Sequence, residues 1–540
     1  MKLLCPPQTV HPGPGRGLIG RRFTWIALLV ISLLYALAIN NRWAVKPDSA
    51  LYLTLGRSLA EGRGMEYNGQ QVWGIPPGLP AMIAAARWIT GGDGFWLLNS
   101  LLSAMAVAAA ALAFGIVRRL AADRSEDERQ FLAIAAMLLV GLSARMFGDA
   151  TLILTDVPCT LLIALALYAL LRGSTGSWTW YLLAGTALGL ATWVRLLAPL
   201  LGLAMIVGLA MESRAEPRRI LRRFLAAAAV GAILAVFLAA WLLAARTKSD
   251  SGTPDYLLGA NQVANSFGGA NRWHYIATAL PRLPGAMTAL LTDQKSPWLA
   301  PLPTFLILAG LAASIARRRW IVVLPVVVYL TFLVVWGSGA MAARYLLPLL
   351  PLVAYLLLVG AVATVDVAAR RFRLDEKRAP GRRRAAVALV AGLCLAVSLP
   401  KDLRTIWWMR QPDFYAALDH GRWRGCVEAS AYISSRSRPG DVAMTPEWTI
   451  MHYLTGLRTI GQLPDGDYVA ENACRMDPAE FARIAAAGPA RFLVVRTDWS
   501  GDTRPDWNQR TFQALAATGA FSGPPMVFDH LAVFERTRSP

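Results

Sequence analysis

Apolar stretches recur along most of this chain, and many are long enough to cross a lipid bilayer as a helix, which takes roughly 20 mainly apolar residues. We predict about eleven such spans. Their centres lie near residues 31, 106, 139, 164, 187, 204, 234, 308, 328, 354 and 392. Only Trp193, Val194 and Arg195 separate the short fifth and sixth stretches, which fit either two helices or one broken helix. The pattern predicts a multi-pass α-helical membrane protein.

The distribution of charge supports this prediction. Of the 540 residues, 55% are hydrophobic and only 16% are charged, which is unlike an ordinary soluble protein. The formal net charge of +20 comes from Lys and Arg residues that stand in short blocks beside the apolar runs. Such blocks are typical of the cytoplasmic loops of membrane proteins. We therefore expect a lipid bilayer as the partner of this surface and no nucleic acid.

The basic blocks also predict an orientation. They fall in alternate connections, namely residues 1–22, 118–129, 172, 214–223, 317–319 and 370–384. Because cytoplasmic loops carry the Lys and Arg excess, we expect these connections in the cytoplasm. The first loop (41–95), a long loop (246–297) and residues 401–540 then lie on the extracytoplasmic side. No convincing cleavage site follows the first apolar run, so we expect an uncleaved anchor and a transmembrane domain over 23–400 in the inner (plasma) membrane.

The last part of the chain, 401–540, is more polar and predicts a small extracytoplasmic α/β domain. The segments 441–444 and 491–495 have the composition of short buried strands. Helical patterns cover 478–487 and 509–518, with Pro, Gly and Asp at their edges.

The five cysteines lack the spacing of a metal site, and the chain contains no P-loop, dinucleotide-binding fingerprint, nucleophile elbow or zinc motif. Only Cys426 and Cys474 lie in a polar region. If that region is extracytoplasmic, it permits a disulfide, and we predict that these two residues form one. A non-reducing peptide map that finds both as free thiols would contradict this.

Acidic residues stand beside apolar runs on the predicted outer side. Asp48 follows a proline and precedes residues 49–60, which have the pattern of an interfacial helix. Asp48 is consistent with an N-cap residue of this helix, with a chemical role, or with both. Asp149 and Asp156 flank two further spans, where acids tend to face a polar cavity or a partner. With Pro158 two residues on, Asp156 also fits a helix start.

Arginines on the same side provide basic counterparts. Arg195 lies between the fifth and sixth spans, and Arg344 with Tyr345 lies at the outer start of the tenth. An arginine at a helix end is often a snorkelling anchor. Its planar guanidinium also suits phosphate binding. Both interpretations stand at this point.

Further candidates for substrate binding surround these residues. Lys46 precedes Asp48, and Tyr52 follows it by about one helical turn. His274 lies in the long loop among amide and aromatic side chains, which suit a sugar ligand but are equally typical of an exposed loop near the membrane surface.

Four segments stand in order along the chain, namely Pro47 to Tyr52 with Gly62 and Pro76 to Pro80, Thr155 to Pro158, Ala191 to Arg195, and Arg344 to Pro351. Together they resemble the GT-C membrane glycosyltransferases. More narrowly, they are similar to the bacterial branch related to protein O-mannosyltransferases and lipid A aminoarabinose transferases. The family usually has a second acid beside the first-loop aspartate, where this chain has Ser49, so metal binding there is left open. The likeness covers roughly residues 20–400.

The resemblance implies transfer of a sugar from a polyprenyl-phosphate donor to an extracytoplasmic protein, lipid or glycan acceptor. It implies that Asp48 is the general base, that Arg344 and Arg195 stabilise the phosphate leaving group, and that Asp156 shapes the pocket. No cofactor beyond the lipid-phosphate sugar is expected, and a divalent metal is left open.

A transporter, flippase or polymerase of lipid-linked glycans is the alternative, since it also needs many spans and arginines. Transporters often consist of two related halves with polar residues near the bilayer midplane. Here no half-repeat is visible and the polar signals collect at one face, which favours the transferase.

Overall fold

The structure is a computed structural model, and it describes residues 16–173, 177–212, 217–248, 272–293, 298, 300–336, 343–412, 414, 422–460, 477–497 and 507–537. A helical bundle makes up most of it, and a small α/β domain lies at one end. The helices up to the end of the bundle are α1 (Arg16–Ala38), α2 (Pro47–Ala60), α3 (Gly78–Thr90), α4 (Phe95–Leu120), α5 (Glu126–Gly141), α6 (Ala144–Ala150), α7 (Asp156–Gly173), α8 (Thr179–Val194), α9 (Ala198–Met211), α10 (Pro217–Lys248), α11 (Arg272–Ala279), α12 (Leu283–Thr292), α13 (Pro301–Ala316), α14 (Trp320–Trp336), α15 (Ala343–Leu346), α16 (Leu350–Arg371) and α17 (Ala379–Met409).

Six helices of the described part are long and apolar enough to cross a membrane. A bend of 48° separates α5 from α6, and this pair would make a seventh span. Shorter apolar helices include α9 and α13. Every predicted span centre lies inside a helix, so the multi-pass helical fold is confirmed. The fifth and sixth stretches form two helices, because the chain leaves helical geometry at Arg195.

Helix α16 lies at the centre of the bundle. Together with α15 it forms one long segment, and 94% of the most apolar 18-residue stretch of this segment is buried. It crosses α13 at close range through two glycines, because a Cβ atom on Gly310 would overlap the backbone oxygen of Leu356. A Cβ atom on Gly360 would likewise overlap the backbone oxygen of Leu306. Small residues permit this kind of approach between membrane helices.

The first loop folds into α2, a hairpin and α3. Strands β1 (Glu66–Tyr67) and β2 (Gln70–Gln71) pair antiparallel. Between them, Asn68 and Gly69 have φ angles of 52° and 80°. An Asn-Gly pair with positive φ at both positions is the favoured two-residue hairpin turn.

The C-terminal domain contains a five-stranded sheet in the order β4-β3-β5-β7-β6. The first three strands in this order run parallel, and β7 pairs antiparallel with both β5 and β6. The predicted α/β character of this domain is confirmed, and the predicted helix over 478–487 is α20. The elements are α18 (Arg422–Arg436), β3 (Val442–Met444), α19 (Trp448–Thr455), β4 (Arg458–Ile460), α20 (Pro478–Ala487), β5 (Phe492–Arg496), α21 (Trp507–Ala517), β6 (Phe521–Phe528) and β7 (Leu531–Arg536).

The first loop and the C-terminal domain share one hydrophobic core. Trp43, Tyr67 and Ile75 from the loop lie in the same buried cluster as Ile450 and Tyr453 from the domain. Burying apolar surface between them stabilises the contact by about 25 cal/mol per Å². The loop is therefore held at the end of the bundle where the domain sits. Cys474 lies outside the described residues, so the disulfide remains a prediction.

Candidate active site

Asp48 lies at the start of α2 and contacts Arg344, which is 296 positions away in the sequence. Lys46 is the N-cap residue of this helix, and no side chain caps it. The Oδ2 atom of Asp48 accepts a hydrogen bond of 2.9 Å from Nη1 of Arg344. Because Lys46 holds the N-cap position of α2, the expectation that Asp48 is the N-cap residue is wrong. About a third of each side chain remains exposed, at 37% for Asp48 and 33% for Arg344.

Tyr345 lies between two arginines. Its hydroxyl accepts a 3.1 Å hydrogen bond from Nη2 of Arg344. The guanidinium carbons of Arg344 and Arg195 are 4.9 Å and 5.0 Å from the centre of its ring. The backbone oxygen of Tyr345 accepts a 2.7 Å hydrogen bond from the hydroxyl of Tyr329. Cation–π contacts of this kind attract a guanidinium group to the face of a ring and limit where it can lie.

Arg195 and Asp156 form a buried ion pair behind Tyr345. Asp156 is the first residue of α7, and Arg195 follows the last residue of α8. Only 3% of Asp156 and 9% of Arg195 are exposed. The expectation of a helix start at Asp156 is confirmed, and the snorkelling interpretation of Arg195 is wrong because its side chain points into the protein. This ion pair holds the Arg195 guanidinium against the ring of Tyr345.

Arg145 and Asp149 form a third pair, on α6. Nε of Arg145 donates a 2.9 Å hydrogen bond to Oδ2 of Asp149, whose side chain is buried. Asp149 was predicted from the sequence as a site residue, whereas Arg145 was not. Their spacing of four residues, which places both on one helix face, is the signal that would have found it.

A cavity of about 440 Å³ lies beside two of these pairs, and Arg344, Arg145 and Asp149 line it. This volume is within the range of small-molecule sites. Three cationic side chains, Lys46, Arg145 and Arg344, line it together with Asp149. Much of the rest of the lining comes from four parts of the chain. Ala44 lies between α1 and α2, Leu152 and Leu154 follow α6, and Asp293 follows α12. The last helix of the bundle, α17, contributes Thr405, Trp408 and Met409.

The cavity wall contains residues that no local pattern indicated. Asp293 follows α12 in a left-handed conformation and lies 3.4 Å from Nζ of Lys401. Thr405, Trp408 and Met409 belong to α17, which continues past Pro400 to the cavity. These side chains reach the site only because α17 packs beside α6.

The remaining predicted binding residues lie in different places. Lys46 borders the cavity, and its ammonium group lies 5.7 Å from the centre of the Trp423 ring. Tyr52 is buried in the hydrophobic core that the first loop shares with the C-terminal domain. His274 belongs to α11, but its side chain lies outside the described residues, so its role remains a prediction. Among the described residues, no three His, Cys, Asp or Glu side chains come together as a metal-binding group.

Comparison with known proteins gives the class of this fold. A family model described as dolichyl-phosphate-mannose-protein mannosyltransferase matches residues 75–242. This segment contains Asp149, Asp156 and Arg195, whereas Asp48 and Arg344 lie outside it. No curated protein sequence matches the chain significantly.

Solved structures match almost the whole chain. ArnT from Cupriavidus metallidurans in the apo state has a TM-score of 0.56 at 16% identity, covering 96% of this chain and 98% of that chain. The same protein bound to undecaprenyl phosphate has a TM-score of 0.55 at 15% identity, with the same coverage. The Archaeoglobus fulgidus oligosaccharyltransferase in the apo form has a TM-score of 0.57 at 13% identity, covering 94% of this chain and 74% of that chain.

These likenesses show the fold. The chain has the GT-C fold of membrane glycosyltransferases, as the sequence predicted. It is a multi-pass membrane protein with this fold and a small C-terminal α/β domain.

Proposed function

We propose that this protein is a glycosyltransferase that moves a sugar from a polyprenyl-phosphate donor to an extracytoplasmic acceptor. The observation that carries the proposal is the Asp48–Arg344 pair at the edge of a cavity lined by further cations. A carboxylate beside guanidinium groups provides a base and an anion site within one small volume. Sugar transfer from a phosphate needs both.

Asp48 is assigned the role of general base. Its carboxylate accepts the proton of the acceptor hydroxyl while that oxygen forms a bond to the anomeric carbon of the sugar. The bond from the anomeric carbon to the phosphate oxygen breaks, and its electron pair leaves with the phosphate. The proton then passes from Asp48 to water, which its partial exposure permits.

Arg344 is assigned to the leaving group. The phosphate gains negative charge as its bond to the sugar breaks, so a fixed cation stabilises the transition state more than the ground state. Lys46 and Arg145 lie on the same cavity wall and add to the positive potential there. Arg344 holds Asp48 in this structure, and binding of the donor phosphate to Arg344 would release the carboxylate for its role as base.

Two observations support the donor class and the side of the membrane. ArnT is solved bound to undecaprenyl phosphate, and AglB from Archaeoglobus fulgidus is solved in complex with a dolichol-phosphate. Within the described residues, the basic blocks lie at the ends of their helices away from the site, as Arg118, Arg172 and Arg370 do, which supports an extracytoplasmic location.

Glycan transfer in membranes supplied with radiolabelled polyprenyl-phosphate sugars tests the proposal. We expect Asp48→Asn, at matched expression, to lower transfer by about 100- to 10,000-fold, which is the usual contribution of a general base. Asp375→Asn is the matched control, because Asp375 is exposed at the opposite end of α16 from Arg344. Transfer that is equal in both variants would remove Asp48 as the base. Movement of an intact lipid-linked glycan across the membrane without transfer would favour the transporter.

A further inference from the structure

We propose that the C-terminal domain positions the catalytic helix α2, so that this domain is part of the active-site framework. The inference rests on the proposed function, which assigns Asp48 at the start of α2 as the base. It is carried by three separate contacts between the domain and the first loop. They engage the hairpin after α2, the last turn of α2 and the residue before its first turn.

The first contact joins the hairpin to the edge of the sheet. Nδ2 of Asn68 donates a 2.9 Å hydrogen bond to the backbone oxygen of Thr459 in β4. Oδ1 of the same side chain accepts a 3.1 Å bond from the backbone N–H of Thr459. A single amide thus makes both bonds that a neighbouring strand would make to this residue. Because β4 is an edge strand, these groups would otherwise be open to pairing with another chain.

Aromatic packing reinforces this contact. The ring of Tyr67 meets the rings of His452 and Trp448 edge to face, at centroid distances of 4.7 Å and 5.4 Å. Its hydroxyl lies 3.4 Å from Oγ1 of Thr459. Aromatic pairs in this geometry contribute about 0.5–1.5 kcal/mol beyond the area that they bury. The hairpin is therefore attached to β4 by polar bonds and to α19 by ring contacts.

The second contact holds the last turn of α2. The guanidinium carbon of Arg57 lies 4.5 Å from the centre of the Tyr453 ring. Nη1 of Arg57 also donates a 3.4 Å bond to the backbone oxygen of Tyr453. The Tyr453 ring also contacts Trp43, at a centroid distance of 4.8 Å, and Trp43 lies just before α2. Tyr453 of α19 thus contacts both the last turn of α2 and the chain just before its first turn.

The third contact reaches the cavity itself. Trp423 on α18 is buried, and the ammonium group of Lys46 lies 5.7 Å from the centre of its ring. Lys46 is the N-cap of α2 and also lines the cavity, two residues before Asp48. A cation–π contact to a buried ring limits where this cation can lie. The domain therefore acts on the proposed base through the residues that bracket it.

Asn68→Gly tests the proposal without disturbing the hairpin. Asn68 has a positive φ, which glycine adopts without strain, so the turn is kept while both bonds to Thr459 are lost. We expect faster hydrogen–deuterium exchange across residues 47–60 in the full-length protein. We also expect kcat to fall by about 10- to 100-fold with the donor KM nearly unchanged, because a misplaced base slows chemistry rather than binding.

Two further variants make the result specific. Trp423→Leu removes the contact at the other end of α2 and should raise exchange in the same residues. Arg483→Ala is the control, since Arg483 is an exposed residue of α20 that bonds only to Glu480 among the described side chains. Exchange across 47–60 and kcat that match this control in both test variants would overturn the proposal. Faster exchange, together with no sugar transfer by the unmodified protein, would support the positioning role while rejecting the proposed reaction.

Discussion

At the scale of single residues, the site depends on charges that neutralise one another. Asp48 with Arg344 remains partly exposed, whereas Asp156 with Arg195 is enclosed. The difference in burial separates their roles. A partly exposed pair can exchange its partner for a ligand, but an enclosed pair is held by the large cost of leaving either charge alone.

Removing one partner of the enclosed pair should destabilise the whole protein. We expect Asp156→Asn or Arg195→Gln to lower the free energy of unfolding by about 3 to 5 kcal/mol, because an uncompensated charge is left buried. Thermal unfolding of the purified protein in detergent measures this. Glu428→Gln is the control, since Glu428 is paired with Arg424 at the surface, where ion pairs contribute about 0 to 1 kcal/mol. Equal melting temperatures for the variants and the control would contradict the assignment.

At the scale of elements, two contacts decide where the site residues lie. The crossing of α13 and α16 sets the position of α16 and, with it, of α15, the short helix that contains Arg344. The contact of α19 with the first loop sets the position of α2 and Asp48. Each contact depends on close fit, so each is sensitive to a small change in volume or charge.

Gly310→Ala should disrupt the crossing of α13 and α16. The added methyl group would overlap the backbone oxygen of Leu356, and backbone cannot move aside as a flexible side chain does. Overpacking of this kind costs about 1–3 kcal/mol or more. Gly392→Ala is the matched control, because a Cβ atom there meets nothing within 4 Å. The check is the fraction of monodisperse protein after detergent extraction and heating, where identical behaviour of the two variants would contradict the close crossing.

Acidification should weaken the contact between α19 and the first loop. Burial lowers the pKa of His452 below its usual value near 6.5, and Arg57 and Arg63 add to this effect. The bond to the backbone oxygen of Leu457 and the charge of Glu66 oppose it. The unfolded chain therefore binds this proton more readily than the folded one. The stabilising contribution is complete above pH 6.5 and is lost progressively as the pH falls below it.

His452→Gln supplies the measurement for this pH effect. The variant cannot titrate, so its melting temperature should fall less between pH 7.5 and pH 5 than that of the unmodified protein, at roughly equal ionic strength. An identical decrease in both proteins would show that other groups dominate the acid response.

At the scale of the whole molecule, the described basic connections lie at one end of the bundle and the site lies at the other. The site end combines the first loop, the cavity and the C-terminal domain. This arrangement suits a reaction between a lipid-anchored donor and a water-soluble group, because the two phases meet there. Basic loops at the far end favour a cytoplasmic location for that end.

Cysteine labelling in intact cells tests this orientation. Lys377→Cys lies in the exposed connection between α16 and α17, and Arg483→Cys lies on the surface of the C-terminal domain. We expect an impermeant maleimide to label the second and not the first, relative to the unmodified protein. Labelling at position 377 without permeabilisation would reverse the assigned orientation.

The sequence by itself determined the helical membrane architecture and located most of the charged residues of the candidate site. Apolar runs, basic blocks and charged residues beside helix ends are local patterns, and each can be recognised within about 20 residues. The secondary structure of α20 and the strand at β5 were predicted on the same local basis.

Only the tertiary structure decided which of these residues meet. Asp48 and Arg344 are separated by 296 positions, and Asn68 and Thr459 by 391. Such pairs depend on how helices pack, which no short stretch of sequence encodes. For the same reason, the cavity wall formed by Thr405, Trp408 and Met409 was not predicted. Hydrophobic periodicity reports which face of a helix is buried, but the partner of that face is set by the shape and charge of the whole assembly.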